Sequence, residues 1–112
     1  MEERLKEFVL NVISQPDNII YVGLNIFSHP CYDYKLSDNR VLRITIYERN
    51  MSAPKQLMIE VYDPDKNHLN ERCVDLIRET INITNDEYVK YVYFAQLATN
   101  ILADRTLTEL GY

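Results

Sequence analysis

From residue 2 to residue 14 the apolar side chains Leu5, Phe8, Val9, Val12 and Ile13 recur at the three- and four-residue spacing of one helix face. Glu2 and Glu3 stand where carboxylates complement the positive end of a helix. The spacing predicts an amphipathic helix ended by Pro16-Asp17-Asn18. The period then drops to two. Ile19 to Phe27 alternates, with Ile20, Val22, Leu24 and Ile26 on one face and Tyr21, Asn25 and Phe27 on the other. Residues 28 to 36 are less regular, but Tyr32, Tyr34 and Leu36 alternate with Asp33 and Lys35 as in a short edge strand, followed by the turn cluster Ser37-Asp38-Asn39. Arg40 to Arg49 is the clearest strand: Leu42, Ile44 and Ile46 face one way, and Val41, Arg43, Thr45, Tyr47 and Arg49 the other. Gln56 to Tyr62 repeats the pattern, with Leu57, Ile59 and Val61 against Met58, Glu60 and Tyr62.

The second half returns to the helical period. Leu69, Cys73, Leu76, Ile77 and Ile81 fall on one stripe, which predicts a helix over residues 69–82. Thr84-Asn85-Asp86-Glu87 has capping-box spacing and predicts a further helix to about Ala103, with a last short turn after Thr106 closed by Gly111. The expected fold is a single α+β domain over residues 1–112. It has an N-terminal helix, an antiparallel three- or four-stranded meander, and two or three C-terminal helices packed on one sheet face.

Composition narrows the function classes. The chain has 112 residues, 46% of them hydrophobic and 26% charged, with two glycines and four prolines, which suits one globular core. Its apolar runs are far shorter than the roughly 20 residues that span a bilayer, and Met1-Glu2-Glu3-Arg4 does not open an apolar signal core. A soluble cytoplasmic protein is expected, in the host cytoplasm if the source is viral. In that compartment Cys31 and Cys73 are free thiols, and the sequons at Asn50 and Asn82 are accidental. Isoleucine (11), asparagine (10) and tyrosine (9) are abundant, a bias that suits AT-rich genomes such as those of many phages and viruses. The net charge of −5 works against sequence-independent binding to phosphates.

Reactive side chains are few. His29, Cys31, His68 and Cys73 are the available zinc ligands, but the five-position step from His68 to Cys73 places them badly on a helix, and Cys73 falls on the apolar stripe. Cys31 as a nucleophile would need a base, and His29 two positions away on a strand lies roughly 7 Å off. Asp63-Pro64-Asp65-Lys66-Asn67 starts like a calcium loop, yet His68 and Val74 occupy the glycine and glutamate positions. Neither metal, cofactor nor catalytic residue is assigned.

The order helix, three strands, helix is also that of the double-stranded RNA-binding domain. That domain uses a lysine-rich start to the helix after the sheet, which His68-Leu69-Asn70-Glu71-Arg72 lacks. A nucleic-acid-binding module and a metal- or thiol-dependent enzyme are therefore the alternatives. The preferred reading is a small non-enzymatic regulator or inhibitor that binds another protein, with a phage or virus among the sources its composition suits. Its expected protein-binding residues are Tyr21, Phe27, Tyr32, Tyr34, Arg43, Tyr47, Arg49, Met58 and Tyr62, types enriched in interface cores. The residue 84–103 helix is apolar on two sides. Val89, Val92, Tyr93, Leu97 and Ile101 form one stripe, and Tyr88, Tyr91, Ala95, Ala98 and Leu102 the other. On that basis Tyr88, Tyr91, Ala95 and Leu102 are the expected contacts of a homodimer.

Overall fold

The computed structural model describes residues 1–48, 54–66 and 75–112, and it begins with the helix that the apolar spacing predicts. Helix α1 spans Glu2–Ile13 and buries Leu5, Val9 and Ile13, one residue from each turn. It gives way to a 3-10 turn at Pro16–Asn18, where proline has no amide for the next helical bond. Five strands follow: β1 (Ile19–Leu24), β2 (Pro30–Lys35), β3 (Val41–Tyr47), β4 (Lys55–Tyr62) and β5 (Asp75–Ile83). Each pairs antiparallel with the next, so the sheet order is the chain order.

Helix α2 (Asn85–Glu109) completes the fold, and its start is set by the predicted capping box. The Thr84 hydroxyl accepts from the Glu87 amide at 3.1 Å, and the Glu87 carboxylate accepts from the Thr84 amide at 2.9 Å. The Thr84 amide, and then Lys6 at 3.1 Å, hold the Glu87 carboxyl below its ordinary range. The same ion pair ties α1 to α2. At the other end Arg105 donates to the carbonyls of Ile19 and Asp17, at 2.7 and 2.6 Å, and fastens α2 to the start of β1.

Strand register explains the core. Tyr34, Leu42, Val61 and Ile77 lie opposite one another across β2 to β5, as do Tyr32, Ile44 and Ile59, and Ile46, Leu57 and Ile81. These side chains point to the same face, where they form one core with residues of α1 and α2. No described helix covers the opposite face. None of the described helices is long and apolar enough to cross a membrane.

The architecture is α+β as expected, with three differences in its parts. Among the described residues there are five strands and one long C-terminal helix, because the part of the expected 69–82 helix that is described is strand β5. Its β-branched Ile77, Thr80, Ile81 and Ile83 fit a pleated surface, and hydrogen bonding to β4 decides the outcome. Residues 69–74 of that stretch lie outside the described residues. Second, β2 is an inner strand, not an edge, and it turns Tyr32 and Tyr34 towards the helices. Third, a bulge between Ile19 and Tyr21 shifts the alternation of β1. Ile19 is thereby fully buried and Ile20 half exposed. The strand also stops at Leu24, where Asn25 accepts the amides of Phe27 and His29 and Ser28 takes a positive φ of 64°.

Candidate functional site

On the face that no described helix covers, the registers align side chains in rows that cross the strands. One row runs Tyr21, Asp33, Arg43, Glu60, Arg78. The next runs Gly23, Cys31, Thr45, Met58, Thr80. Beyond it lie Tyr47, Gln56 and Asn82. The middle row carries small side chains on its first three strands, so it forms the floor of a trough between two taller rows.

The first row is charged and locked. The Asp33 carboxylate, only 5% exposed, accepts from Arg43 Nε at 2.7 Å, Arg43 Nη2 at 2.9 Å and the Tyr62 hydroxyl at 3.0 Å. A carboxylate so deep is tolerable because every donor it needs is present. Hydrogen bonding to Asp33 pushes the Arg43 guanidinium further above its ordinary value, and that guanidinium also lies 5.4 Å over the Tyr62 ring. Arg43 is thus oriented before any ligand arrives, with its side chain still 38% exposed. Next in the row, the Glu60 carboxylate, 15% exposed, faces Arg78 at 3.4 Å.

On β2 and β3 the floor is nearly inaccessible although no described helix sits on it: Cys31 is 4% and Thr45 2% exposed. Tyr21 folds over Gly23, where a Cβ would collide with its phenol, and so closes one end of the trough. A side chain at position 23 would displace the Tyr21 phenol from this placement. On the other wall Tyr47 packs edge-on to His29 with ring centres 4.5 Å apart, and its hydroxyl reaches Met58 Sδ at 3.8 Å. Two open hollows of about 370 and 350 Å³ result. The first lies among Tyr21, Cys31, Arg43, Thr45, Tyr47 and Met58, and the second among Phe27, His29, Tyr47, Gln56, Met58 and Thr80.

Of the expected protein-binding residues, Tyr21, Arg43, Tyr47, Met58 and Tyr62 come together on this face, and Phe27 reaches it from the β1–β2 turn. Tyr32 and Tyr34 do not. They point into the helix-covered core, and Tyr34 is completely buried. Arg49 lies outside the described residues. Two of the expected dimer contacts, Tyr91 and Ala95, are also corrected. Tyr91 and Ala95 are buried, and Tyr88 and Leu102 are partly buried against the core. Ala95 and Ala98 are small enough to let α2 settle closely on the sheet, and the stripe left in solvent is Val89, Val92 and Tyr93.

The chemical alternatives fare as follows. His68 and Cys73 lie outside the described residues, and among the described residues no three His, Cys, Asp or Glu side chains gather as metal ligands. Burial pushes the Cys31 thiol above its ordinary value, the direction opposite to nucleophile activation. The helix after the sheet begins Asn85-Asp86-Glu87, acidic where an RNA-binding domain of this order is basic. Asp33, Thr45 and Glu60 were not singled out by composition. Their signal was the strand alternation, which places Asp33 on the face opposite to Tyr32 and Tyr34 once β2 is recognised. Comparison with protein-family models, with curated proteins and with solved structures finds no significant match to this chain.

Proposed function

We propose that this chain is a non-enzymatic regulator or inhibitor that captures another protein on the open face of its sheet. The observation that carries this reading is the asymmetry of the sheet. Both described α-helices cover one face, while the other presents Tyr21, Tyr47, Met58 and Tyr62 around an arginine held by Asp33. Aromatic rings, methionine and arginine supply contact area at low entropic cost, and pre-orientation of Arg43 removes part of the ordering penalty of binding. The raised thiol of Cys31 and the saturated carboxylate of Asp33 support binding over catalysis.

The test is quantitative capture of interacting proteins from the native host by the tagged chain, compared across variants. Tyr21→Ala and Tyr47→Ala are expected to reduce recovery of a specific partner at least tenfold, with Val89→Glu on the exposed helix stripe as an unaffected control. Equal recovery by all three variants would reject the open face as the site. Arg43→Glu is unsuited to this purpose, because it would set a second carboxylate against buried Asp33 and disturb the fold itself.

A further inference from the structure

We infer that the chain forms a two-fold homodimer through the free edge of β1, which pairs antiparallel with β1 of a second copy. The inference uses the edge of the sheet and does not depend on the open-face reading. Among the described strands β1 and β5 are the two edges, and they meet solvent differently. Strand β5 carries Asp75, Arg78 and Glu79, charges of the kind that keep an edge from pairing. Strand β1, Ile-Ile-Tyr-Val-Gly-Leu, carries none and leaves Ile20, Tyr21 and Leu24 exposed. Its outward bonding groups follow from the register. The Asn25 amide donates to the His29 carbonyl at 2.9 Å, so by antiparallel alternation Gly23 bonds to Cys31, while Val22 and Leu24 turn their amides and carbonyls to the edge. Pro30, opposite Leu24, has no amide to offer it. No described strand takes up these groups.

The course of α2 identifies the occupant as a second copy. The helix starts beside the end of β5 at Thr84 and crosses the sheet to β1, where Arg105 donates to the Ile19 carbonyl. One further turn to Glu109, about 6 Å of helix, continues towards the free edge, with Leu107 51% and Leu110 66% exposed. At the other end of the same edge Leu24 and Ile26 are 64% and 91% exposed. A two-fold axis normal to the sheet pairs two copies of one strand antiparallel and sets the start of each β1 beside the end of the other. Leu107 and Leu110 of each copy are thereby brought to the end where the other exposes Leu24 and Ile26. A strand from an unrelated protein would satisfy the backbone but leave both apolar ends uncovered. Charge agrees with this choice. Two β1 strands bring no ionic side chains together, whereas a β1–β5 contact, which repeats without closing, would set Asp75 and Glu79 beside an apolar edge.

Sedimentation equilibrium of the full chain over a concentration series tests this. The expected result is a species of twice the 13.3 kDa of one chain, alone or in equilibrium with it. Leu24→Lys, which sets a cation at each end of the paired strands, is expected to weaken association at least tenfold, and Leu110→Lys about threefold. Leu76→Lys on β5, exposed to the same degree as Ile20, is expected to have no effect. All three replace exposed side chains, and circular dichroism confirms the fold. Amide exchange followed by nuclear magnetic resonance reads the pairing itself: the Val22 amide should exchange at least tenfold more slowly in the unsubstituted chain than in Leu24→Lys at the same concentration. A chain that stays monomeric throughout the series overturns the inference. So does a dimer whose dissociation constant is unchanged in Leu24→Lys, or raised equally by Leu76→Lys. Species that grow beyond the dimer overturn the two-fold closure, and equal exchange of the Val22 amide in both chains overturns the strand pairing.

Discussion

On the helix-covered face Leu42, Ile44, Leu57 and Ile59 are completely buried, as expected for apolar side chains beneath two helices. On the open face Cys31, Asp33, Val41 and Thr45 reach almost the same burial, at 2–4% exposure, with no described helix above them. The first group is buried by layers, through removal of apolar area from water. The second includes a carboxylate, Asp33, that accepts three hydrogen bonds from Arg43 and Tyr62. The contrast matters for binding. A face whose buried carboxylate is already bonded to Arg43 and Tyr62 can accept a partner without paying again for the desolvation of that group.

The sharpest break of this comparison is by truncation. Ile59→Ala removes atoms from the packed layer and is expected to cost about 2–5 kcal/mol in urea unfolding. Thr45→Ala, equally buried but on the open face, is expected to cost less than about 1 kcal/mol because its surroundings can close or admit water. Similar losses for the two would mean that the open face is a second core. A somewhat smaller effect tests the bonded half of the contrast. Asp33→Ala leaves Arg43 without its partner and is expected to cost about 2 kcal/mol, below the about 3–5 kcal/mol of a fully buried broken pair because Arg43 can still reach water. The double variant Asp33→Ala, Arg43→Ala should unfold at a higher urea concentration than Asp33→Ala alone. A double variant that is less stable would show that the two side chains contribute independently.

The same contrast explains what the amino-acid pattern revealed. Strands β3 and β4 were legible because Leu42, Ile44, Ile46, Leu57, Ile59 and Val61 occupy the layered face without interruption. Strand β5 was not, because Glu79 interrupts the run from Ile77 to Ile81 at a position opposite Ile59. An edge strand tolerates that charge where a central one would not, and the remaining apolar residues then mimic a helical stripe. The open-face tyrosines of β1, β3 and β4 were placed correctly by alternation alone. Those of β2 were not, since Tyr32 and Tyr34 share a composition with the binding face but sit one pleat away from it. In α2 both stripes were visible, and choosing between them required knowing that the sheet takes the one bearing alanines. The trough was hidden for a different reason. It depends on the register of five strands, which no local pattern encodes.

Phenol hydroxyls give the finest version of the comparison. On the covered face Tyr34 and Tyr91 bury their hydroxyls without a hydrogen-bond partner among the described residues, whereas on the open face the Tyr62 hydroxyl donates to Asp33 at 3.0 Å. Tyr34→Phe should therefore leave stability at pH 7 unchanged or raise it by up to about 1 kcal/mol, while Tyr62→Phe should lower it by about 1 kcal/mol. Opposite signs from one and the same deletion would separate the faces cleanly. Alkaline pH adds a second reading. Burial pushes the Tyr91 phenol up to about 12, and Tyr34 moves in the same direction, against an ordinary value near 10. Above about pH 10 the unfolded chain releases protons that the folded one retains, so stability is complete below that pH and falls as pH rises towards 12. Urea midpoints measured between pH 8 and 11 should decline less steeply in Tyr34→Phe and Tyr91→Phe than in the unsubstituted chain. An unchanged slope in both variants would mean that the two phenols reach water, and the covered face would then be less closed than its burial implies.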